Sequence, residues 1–182
     1  MYFHVKQLNL LFFALFMFSA LPSALAQCKA TEVVIFSGAT VKKEVAVCAS
    51  PSTGEFTKIT YRFGSTINPD FEYHVEQNST NRFYAFKEAC NRRAGTDNLW
   101  FRNGDTTYVV SDCIGGNCNS RGGILVLKGK KVIGKIKSND NVLGRFGFTP
   151  QGPDYNGSKI ITKTSLILEK NIEGVSVCSL YD

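Results

Sequence analysis

Six cysteines constrain this chain more than any other feature, because all of them follow a segment that predicts export. The segment has Lys6 near its start, an apolar run from Leu10 to Met17, and the small-x-small cleavage signal Ala24-Leu25-Ala26. These features are typical of a secretory signal peptide, and the apolar run is too short to span a bilayer. We therefore predict a signal peptide over residues 1–26, no transmembrane span, and a periplasmic or secreted location.

The same stretch has one alternative interpretation as a lipoprotein signal. Leu25-Ala26-Gln27-Cys28 approaches the box in which the cysteine receives a lipid. Glutamine stands where that box requires a small residue. We therefore expect cleavage after Ala26, with Gln27 as the first mature residue, rather than lipidation of Cys28.

An even number of cysteines in an exported chain predicts disulfide bonds, and we expect three of them. Cys113 and Cys118 have neither the C-x-x-C redox spacing nor a second cysteine pair at zinc spacing. His74 is the single histidine of the predicted mature chain. We therefore expect a Cys113–Cys118 disulfide that closes a small loop, with no metal and no cofactor.

The other four cysteines leave two pairings open. If the first hairpin turns at Gly38, Cys28 falls nearly opposite Cys48, which leaves Cys90 to pair with Cys178. Cys28–Cys178 together with Cys48–Cys90 is the alternative, because sequence alone does not choose among connectivities.

Hydrophobic alternation predicts an all-β fold. In Phe56–Phe63 and in Phe71–Glu76, apolar and polar residues alternate with the period of two that half-buried strands show. Asn103-Gly104 is the strongest short signal for a hairpin in the chain. We count about nine or ten short strands, which predict an antiparallel β-sandwich or small barrel, stapled by disulfides.

Two segments do not fit this alternation cleanly. Asn81–Arg93 could be a helix, although its Phe83-Tyr84-Ala85-Phe86 core suits a strand equally well. Phe148–Ser158 lacks apolar periodicity and is predicted to be a surface loop or a poorly ordered insertion. The predicted strands are Glu32–Phe36, Glu44–Cys48, Phe56–Phe63, Phe71–Glu76, Leu99–Phe101, Thr106–Val110, Ile124–Leu127, Lys131–Ile136, Ile160–Leu168 and Val175–Leu180.

Size and charge limit the classes of protein to consider. About 156 residues remain after cleavage, so residues 27–182 are predicted to form a single all-β domain. Of the 21 Lys+Arg, Lys6 is lost with the signal, and 15 acids remain, so the mature net charge is +5. This charge favours an acidic partner. It is too small to indicate nucleic-acid binding by an exported protein.

The sequence offers few groups for catalysis. Any Ser-His-Asp site must use His74, which the strand pattern places on a polar face, and no G-x-S-x-G elbow supplies its nucleophile. Two carboxylates could make a glycosidase, but linear order does not say which acids meet. The glycines around Cys113 and Cys118 match no phosphate-binding loop. We therefore predict no catalytic residues and no enzyme; the candidate acids would be Glu55, Asp70, Glu72, Glu76, Glu88 and Asp97.

The Cys113–Cys118 loop is predicted to bind a partner instead. Closing about six residues stabilises a fold by only roughly 2 kcal/mol in the chain-entropy description. It also restricts the loop, which lowers the entropy cost of binding. Asn117, Asn119 and Arg121 would then present hydrogen-bond donors at its rim. The alternative is a purely structural bond that stiffens a glycine-rich connection.

A lysine-rich hairpin follows this loop in the sequence. Lys128, Lys130 and Lys131 surround its turn at Gly129. They either protect an exposed sheet edge from aggregation or extend the loop into a patch for an acidic partner. In the second strand, one face is predicted to carry Lys131, Lys135 and Lys137, and the other Val132 and Ile136. The arginines that could join the patch are Arg92, Arg93 and Arg121.

The stretch from Val45 to Ile136 resembles small exported bacterial β-proteins. It contains a cysteine strand (VAVCAS), a Tyr-Arg-Phe-Gly strand (ITYRFG) and a late Gly-Gly strand with a lysine turn (GGILVLKGKKVIGKI). In build these proteins are similar to periplasmic lysozyme inhibitors and to immunity proteins that neutralise cell-wall-attacking toxins. The Ser-Gly-x-x-Tyr motif of some lysozyme inhibitors is absent, since Ser37-Gly38 is followed by Ala39-Thr40-Val41.

The resemblance implies an exported, non-catalytic domain that binds a protein partner. It would inhibit or neutralise a cell-wall hydrolase or toxin through the stapled loop, and the positive charge favours an acidic one. The alternative is an envelope module that binds glycans or polyanions, and a hydrolase ranks last.

We predict that the exported product begins at Gln27. Signal peptidase accepts the small residues Ala24 and Ala26, so cleavage should remove the first 26 residues. Intact-mass spectrometry of the exported protein measures this directly. A product that retains Met1, or one that begins at a lipidated Cys28, would contradict the prediction.

Overall fold

The computed structural model describes residues 27–39, 42–52, 55–65, 68–115, 118, 121–137, 145–146, 160–163 and 175–181. The predicted signal peptide, the two loop asparagines Asn117 and Asn119, and the predicted loop Phe148–Ser158 lie outside these residues. Within the described ranges, no helix has the length and apolar character needed to cross a membrane.

Strands make up most of the described chain, and the one helix is a short 3₁₀ helix, Val177–Leu180. Nine strands have seven or more residues, and the last two are much shorter. In chain order they are β1 (Val33–Ala39), β2 (Glu44–Ser52), β3 (Glu55–Gly64), β4 (Pro69–Glu76), β5 (Phe83–Ala89), β6 (Ala94–Asn103), β7 (Thr106–Gly115), β8 (Gly122–Lys128), β9 (Lys131–Lys137), β10 (Arg145–Phe146) and β11 (Ile161–Lys163).

The strands form two sheets. The first has the order β10-β1-β2-β3-β4 and the second has the order β11-β5-β6-β7-β8-β9. The nine long strands pair with one another only in antiparallel fashion, whereas the short β11 runs parallel to β5. One core cluster draws side chains from both sheets, so the sheets pack face to face. The predicted all-β antiparallel fold is confirmed, and it takes the form of a sandwich.

The predicted Asn103-Gly104 hairpin is confirmed, one ambiguous segment is a strand, and one predicted strand is wrong. The β6–β7 turn contains Gly104 at φ +60°, as the Asn103-Gly104 signal predicts. The ambiguous segment Asn81–Arg93 contains strand β5 rather than a helix. The predicted strand Val175–Leu180 is wrong, because most of it forms the 3₁₀ helix. Its apolar residues are buried by a single turn that lies on the second sheet.

Aromatic side chains fill the space between the sheets. Phe101 of the second sheet stacks on Tyr73 of the first, with ring centroids 4.2 Å apart, and its ring centroid lies 5.0 Å from that of Tyr61. Tyr108 stacks on Phe71 at 5.0 Å. Such pairs contribute roughly 0.5–1.5 kcal/mol each beyond their buried area. The two sheets are therefore held by contacts that cross the interface repeatedly.

The segment before β1 buries part of the outer face of the first sheet, on β2 and β3. Cys28 bonds to Cys48 of β2. Arg62 of β3 donates two hydrogen bonds to Glu32, at 2.7 Å and 3.0 Å, and a third to Glu72 at 2.8 Å. Both Arg62 and Glu32 have side chains only 6 % exposed. We call this group the Arg62 clamp.

The Arg62 clamp shifts the titration of its own acid. Burial acts to raise the pKa of Glu32, but the hydrogen bonds and charge of Arg62, with the backbone N–H of Lys29, outweigh it and lower that pKa. A carboxyl whose pKa is lowered by folding stabilises the fold at pH values above its ordinary pKa. This stabilisation is lost as the pH falls through the lowered value.

The outer face of the second sheet is covered by the end of the chain. Cys178 bonds to Cys90, which follows β5. Glu88 accepts hydrogen bonds from the hydroxyl of Ser176 at 2.6 Å and the backbone N–H of Val177 at 2.9 Å, so it satisfies the start of the 3₁₀ helix. At the other end, Lys135 donates to Ser179. The apolar residues that this segment buries against the sheet are Val177, Leu180 and Tyr181.

The three disulfides confirm one of the two pairings left open, but for a different geometric reason. Cys48 lies opposite Val34 in the β1–β2 ladder, not opposite Cys28. Cys28 reaches Cys48 because the chain before β1 folds back over the sheet. The sulfur of Cys28 is thereby occupied. It is not available for the thioether that a lipoprotein would require.

We predict that removing Arg62 destabilises the fold severely. Arg62→Met leaves Glu32 buried without its cation, and such a change typically costs about 3–5 kcal/mol of unfolding free energy. Urea denaturation at neutral pH measures the loss. Lys128→Met is the matched control, because it breaks the exposed Lys128–Asp105 ion pair and should leave the midpoint unchanged. Equal effects of the two substitutions would contradict the role assigned to the Arg62 clamp.

We also predict an order among the disulfides. Replacing both Cys90 and Cys178 by serine opens a loop of sequence separation 88 and should cost about 4.5 kcal/mol in the chain-entropy description. The same change at Cys113 and Cys118, with separation 5, should cost about 2 kcal/mol. Chemical denaturation of the two double variants tests this order, and a larger loss for the small loop would refute it.

Candidate functional site

The stapled loop connects β7 to β8 and lies at one end of the second sheet. Cys113 bonds to Cys118, and its backbone N–H donates to the carbonyl of Arg121 at 2.9 Å. The loop is therefore closed by a covalent bond and by a hydrogen bond at its base. Of the residues predicted to contact a partner here, Arg121 is exposed, and Asn117 and Asn119 lie outside the described residues.

A second turn, between β5 and β6, packs directly beside this loop. Asn91 fixes the turn, because its side-chain oxygen accepts hydrogen bonds from the backbone N–H groups of Arg93 at 2.8 Å and Ala94 at 2.9 Å. Ala94 pairs with Gly115 at the end of β7. Gly115 has φ +115°, and a Cβ there would overlap the carbonyl oxygen of Arg93. Only glycine allows the two loops to approach this closely.

The described residues of these two connections include exposed basic side chains and one exposed apolar side chain at the same end of the sheet. Arg92, Arg93 and Arg121 are exposed, and Ile114 is one of the few large apolar side chains on the described surface, at 48 % exposure. We call these four residues the arginine tip. Sequence reasoning included the arginines as a possible extension of the loop, but it missed Ile114. The sequence did contain a signal for Ile114, because this apolar residue directly follows Cys113 in the predicted disulfide loop.

The lysine turn lies apart from this surface, so the structure does not bring the lysines and the three arginines together in one patch. Lys128 pairs with Lys131 at the far end of β8 and β9. Strand β8 separates that turn from the tip by about 20 Å, since an antiparallel strand rises roughly 3.4 Å per residue. Lys130 and Lys131 are exposed there. The tip and the lysine turn are therefore two surfaces at opposite ends of the sheet.

The lysine turn is partly neutralised. Lys128 Nζ lies 3.4 Å from Asp105 Oδ2. Slight desolvation acts to raise the pKa of Asp105, but the hydrogen bond and charge of Lys128 outweigh it and hold that pKa below its ordinary value. Lys128 therefore forms an ion pair with Asp105 in the neighbouring β6–β7 turn of the same sheet.

The alternation predicted for the lysines of β9 is also wrong. The β8–β9 register shifts by one residue, so that Ile133 is an extra residue on β9. The alternation restarts after such a bulge. Lys135 consequently shares a face with Val132 instead of opposing it, and it reaches the C-terminal segment rather than a partner surface.

Most of the candidate acids for a hydrolase have structural partners. Glu72 belongs to the Arg62 clamp, Glu88 holds the start of the 3₁₀ helix, and Glu76 lies 3.5 Å from Lys58. Asp70 lies 2.9 Å from Lys43. For Glu55, the structure describes only the backbone, which pairs with Ser52 at the end of β2.

One pair of carboxylates was missed. Asp97 lies directly opposite Asp112 in the β6–β7 ladder, with Lys87 Nζ 3.2 Å from Asp97 Oδ1. Counting back from the Asn103-Gly104 turn would have found this pair. The residues are only 3 % and 9 % exposed, so they leave little surface for a substrate. Buried carboxylates are usually paired with a cation, and Lys87 is the cation that pairs with Asp97 here.

His74 lies on the exposed outer face of β4 with Glu72 and Glu76, as the alternation predicts. The structure adds a concave surface beside it that the sequence did not indicate. The cavity has a volume of about 510 Å³, and we call it the polar cleft. Its lining residues are Thr57, His74, Glu76, Gln77, Asn78, Ser79 and Asn81.

The described residues contain one group of three potential metal ligands, and its chemistry argues against a metal. Cys28, Glu32 and Cys48 bring their ligand atoms within 4.8 Å of one another. The two sulfurs are bonded to each other, so neither is a thiolate that could bind zinc. Glu32 is already held by Arg62.

Comparisons with known proteins do not assign this chain to a family. The chain matches no protein-family model, no curated protein and no solved structure.

Proposed function

We propose that this protein is an exported, non-catalytic binding domain that inhibits or neutralises a cell-wall-targeting enzyme or toxin, and that it contacts this partner through the arginine tip. The observation that carries the proposal is the exposure of three arginines and of Ile114 at one end of the second sheet, where the β5–β6 turn and the end of β7 approach closely. A resemblance to lysozyme inhibitors and immunity proteins motivates the class of partner.

The rigidity of the arginine tip supports binding. A disulfide, a hydrogen bond at the loop base and the close contact at Gly115 restrict the loops before any partner arrives. Ordering a flexible loop on binding costs free energy, and a loop that is already ordered avoids most of that cost. The tip is therefore suited to contact a surface without rearrangement.

The composition of the arginine tip supports an acidic protein as partner. Arginine is enriched among the residues that contribute most to interface affinity, and the centres of interfaces are apolar. In the proposed interface, Ile114 would supply the apolar centre, and Arg92, Arg93 and Arg121 would supply the positive charge. Complementary charge on the partner would speed association and select against basic partners.

The disulfides support the predicted compartment. Three disulfides in a chain of this size are typical of proteins that mature in an oxidising space such as the periplasm or the cell exterior. A cell-wall enzyme or toxin acts in that same space.

We predict that truncating the arginine tip weakens capture of the partner. The mature protein would be immobilised and exposed to envelope extract, and the captured enzyme would then be purified for binding measurements. Arg121→Ala should lower affinity about thirtyfold, since truncating an interface anchor costs roughly 2 kcal/mol. Ile114→Ala should also weaken binding, because it removes the apolar centre.

The other end of the sheet provides matched controls. Ile133 is 53 % exposed, similar to Ile114, and Arg102 is exposed near the lysine turn. Ile133→Ala and Arg102→Ala should leave affinity unchanged. Lys130→Glu should act weakly, because about 20 Å exceeds the Debye length of about 8 Å in physiological salt. If these control variants lost binding while the tip variants bound fully, the interface would lie at the lysine-turn end of the sheet, and the proposal would be contradicted.

A further inference from the structure

The polar cleft lies at the edge of the first sheet, where the chain leaves β4 and crosses to β5. Its seven lining residues contribute amide, hydroxyl, imidazole and carboxylate groups. Its volume of about 510 Å³ is within the range of small-molecule sites, roughly 300–1,000 Å³. It is separate from the arginine tip, which lies at the other end of the sandwich, where β5 ends.

The floor of the cleft is held in place by hydrogen bonds within the protein. Gln77 donates from its backbone N–H to the carbonyl of Thr57 at 3.2 Å and from its side chain to the carbonyl of Phe56 at 3.0 Å. The backbone N–H of Asn81 donates to the hydroxyl of Ser79 at 3.0 Å, and the guanidinium of Arg82 donates to the carbonyl of Ser79. The connection between β4 and β5 is therefore well fixed at the cleft.

Three side chains at the cleft remain available for a ligand. His74, Asn78 and Asn81 are exposed, and their side chains make no hydrogen bond to any described residue. Each carboxamide offers two donors and an acceptor, and the imidazole offers one donor and one acceptor when neutral. A ligand that carries many groups able to donate and to accept would satisfy all three.

The lining also indicates what the ligand is not. Among the described residues that line the cleft there is no lysine or arginine, and Glu76 is paired with Lys58 at 3.5 Å, so a phosphate or other anion would find no lysine or arginine in this lining to bind it. The lining residues include no large apolar side chain, so a lipid or an aromatic compound would find no wall to pack against. A neutral, hydroxyl-rich ligand matches the remaining chemistry.

We propose that the polar cleft is a saccharide-binding site that accepts a neutral oligosaccharide of roughly two rings. Asn78 and Asn81 bind ring hydroxyl or acetamido groups through their carboxamides, and His74 adds a further donor or acceptor. This inference is independent of the function proposed for the arginine tip.

A titration of the isotopically labelled mature protein with disaccharides tests the proposal. The probes are N,N′-diacetylchitobiose and cellobiose, which share ring hydroxyls but differ in acetamido groups. We expect saturable shifts of backbone amide resonances within residues 74–81 for at least one probe, with a dissociation constant of about 1–10 mM. The difference between the probes reports whether the acetamido group is recognised.

The matched variants use asparagines at the two ends of β4. The double substitution Asn78→Ala, Asn81→Ala should abolish the saturable shifts, and unchanged resonances elsewhere in the spectrum would show that the fold is intact. Asn68→Ala, at the exposed start of the same strand, should bind like the unaltered protein. The same shifts produced by inorganic phosphate, shifts that persist in the double variant, or no saturation by either sugar up to about 50 mM would overturn the proposal.

Discussion

Each sheet of this sandwich buries side chains on both of its faces, and the rest of the structure depends on that constraint. The inner faces meet in an aromatic core around Phe101. The outer faces would expose buried residues such as Cys48 and Trp100 if nothing covered them. The two ends of the described chain supply the covers, one on each sheet.

The covers are too short to hold themselves in place by apolar burial alone, so covalent and ionic contacts hold them. Each end is joined to its sheet by a disulfide. Each also uses one charged side chain of the sheet: Arg62 binds Glu32 of the first cover, and Glu88 binds the start of the second. This arrangement explains why two of the three disulfides join the ends of the described chain to the sheets. The third closes the loop between β7 and β8.

The two candidate surfaces differ in chemistry and lie at different ends of the molecule. The arginine tip carries three exposed arginines and the exposed Ile114, a composition that suits a protein surface. The polar cleft is concave and rich in uncharged hydrogen-bonding groups, which suits a small polar ligand. Both surfaces are built on connections between strands, where side chains are free of ladder constraints while the sheets hold the backbone.

The sequence by itself determined the structural features that depend on residues close to one another in the chain. Alternation in Phe56–Phe63 predicts a strand, and Asn103-Gly104 predicts the turn between β6 and β7, because both signals rest on local geometry. The even cysteine count predicts three disulfides by simple pairing. Only the tertiary structure decided where distant residues meet. A single extra residue at Ile133 placed Lys131 and Lys135 on opposite faces of β9, and the length of β8 separated Arg121 from the lysine turn. Strand register and the path of the chain ends follow from contacts distant in sequence, and a local pattern carries no information about them.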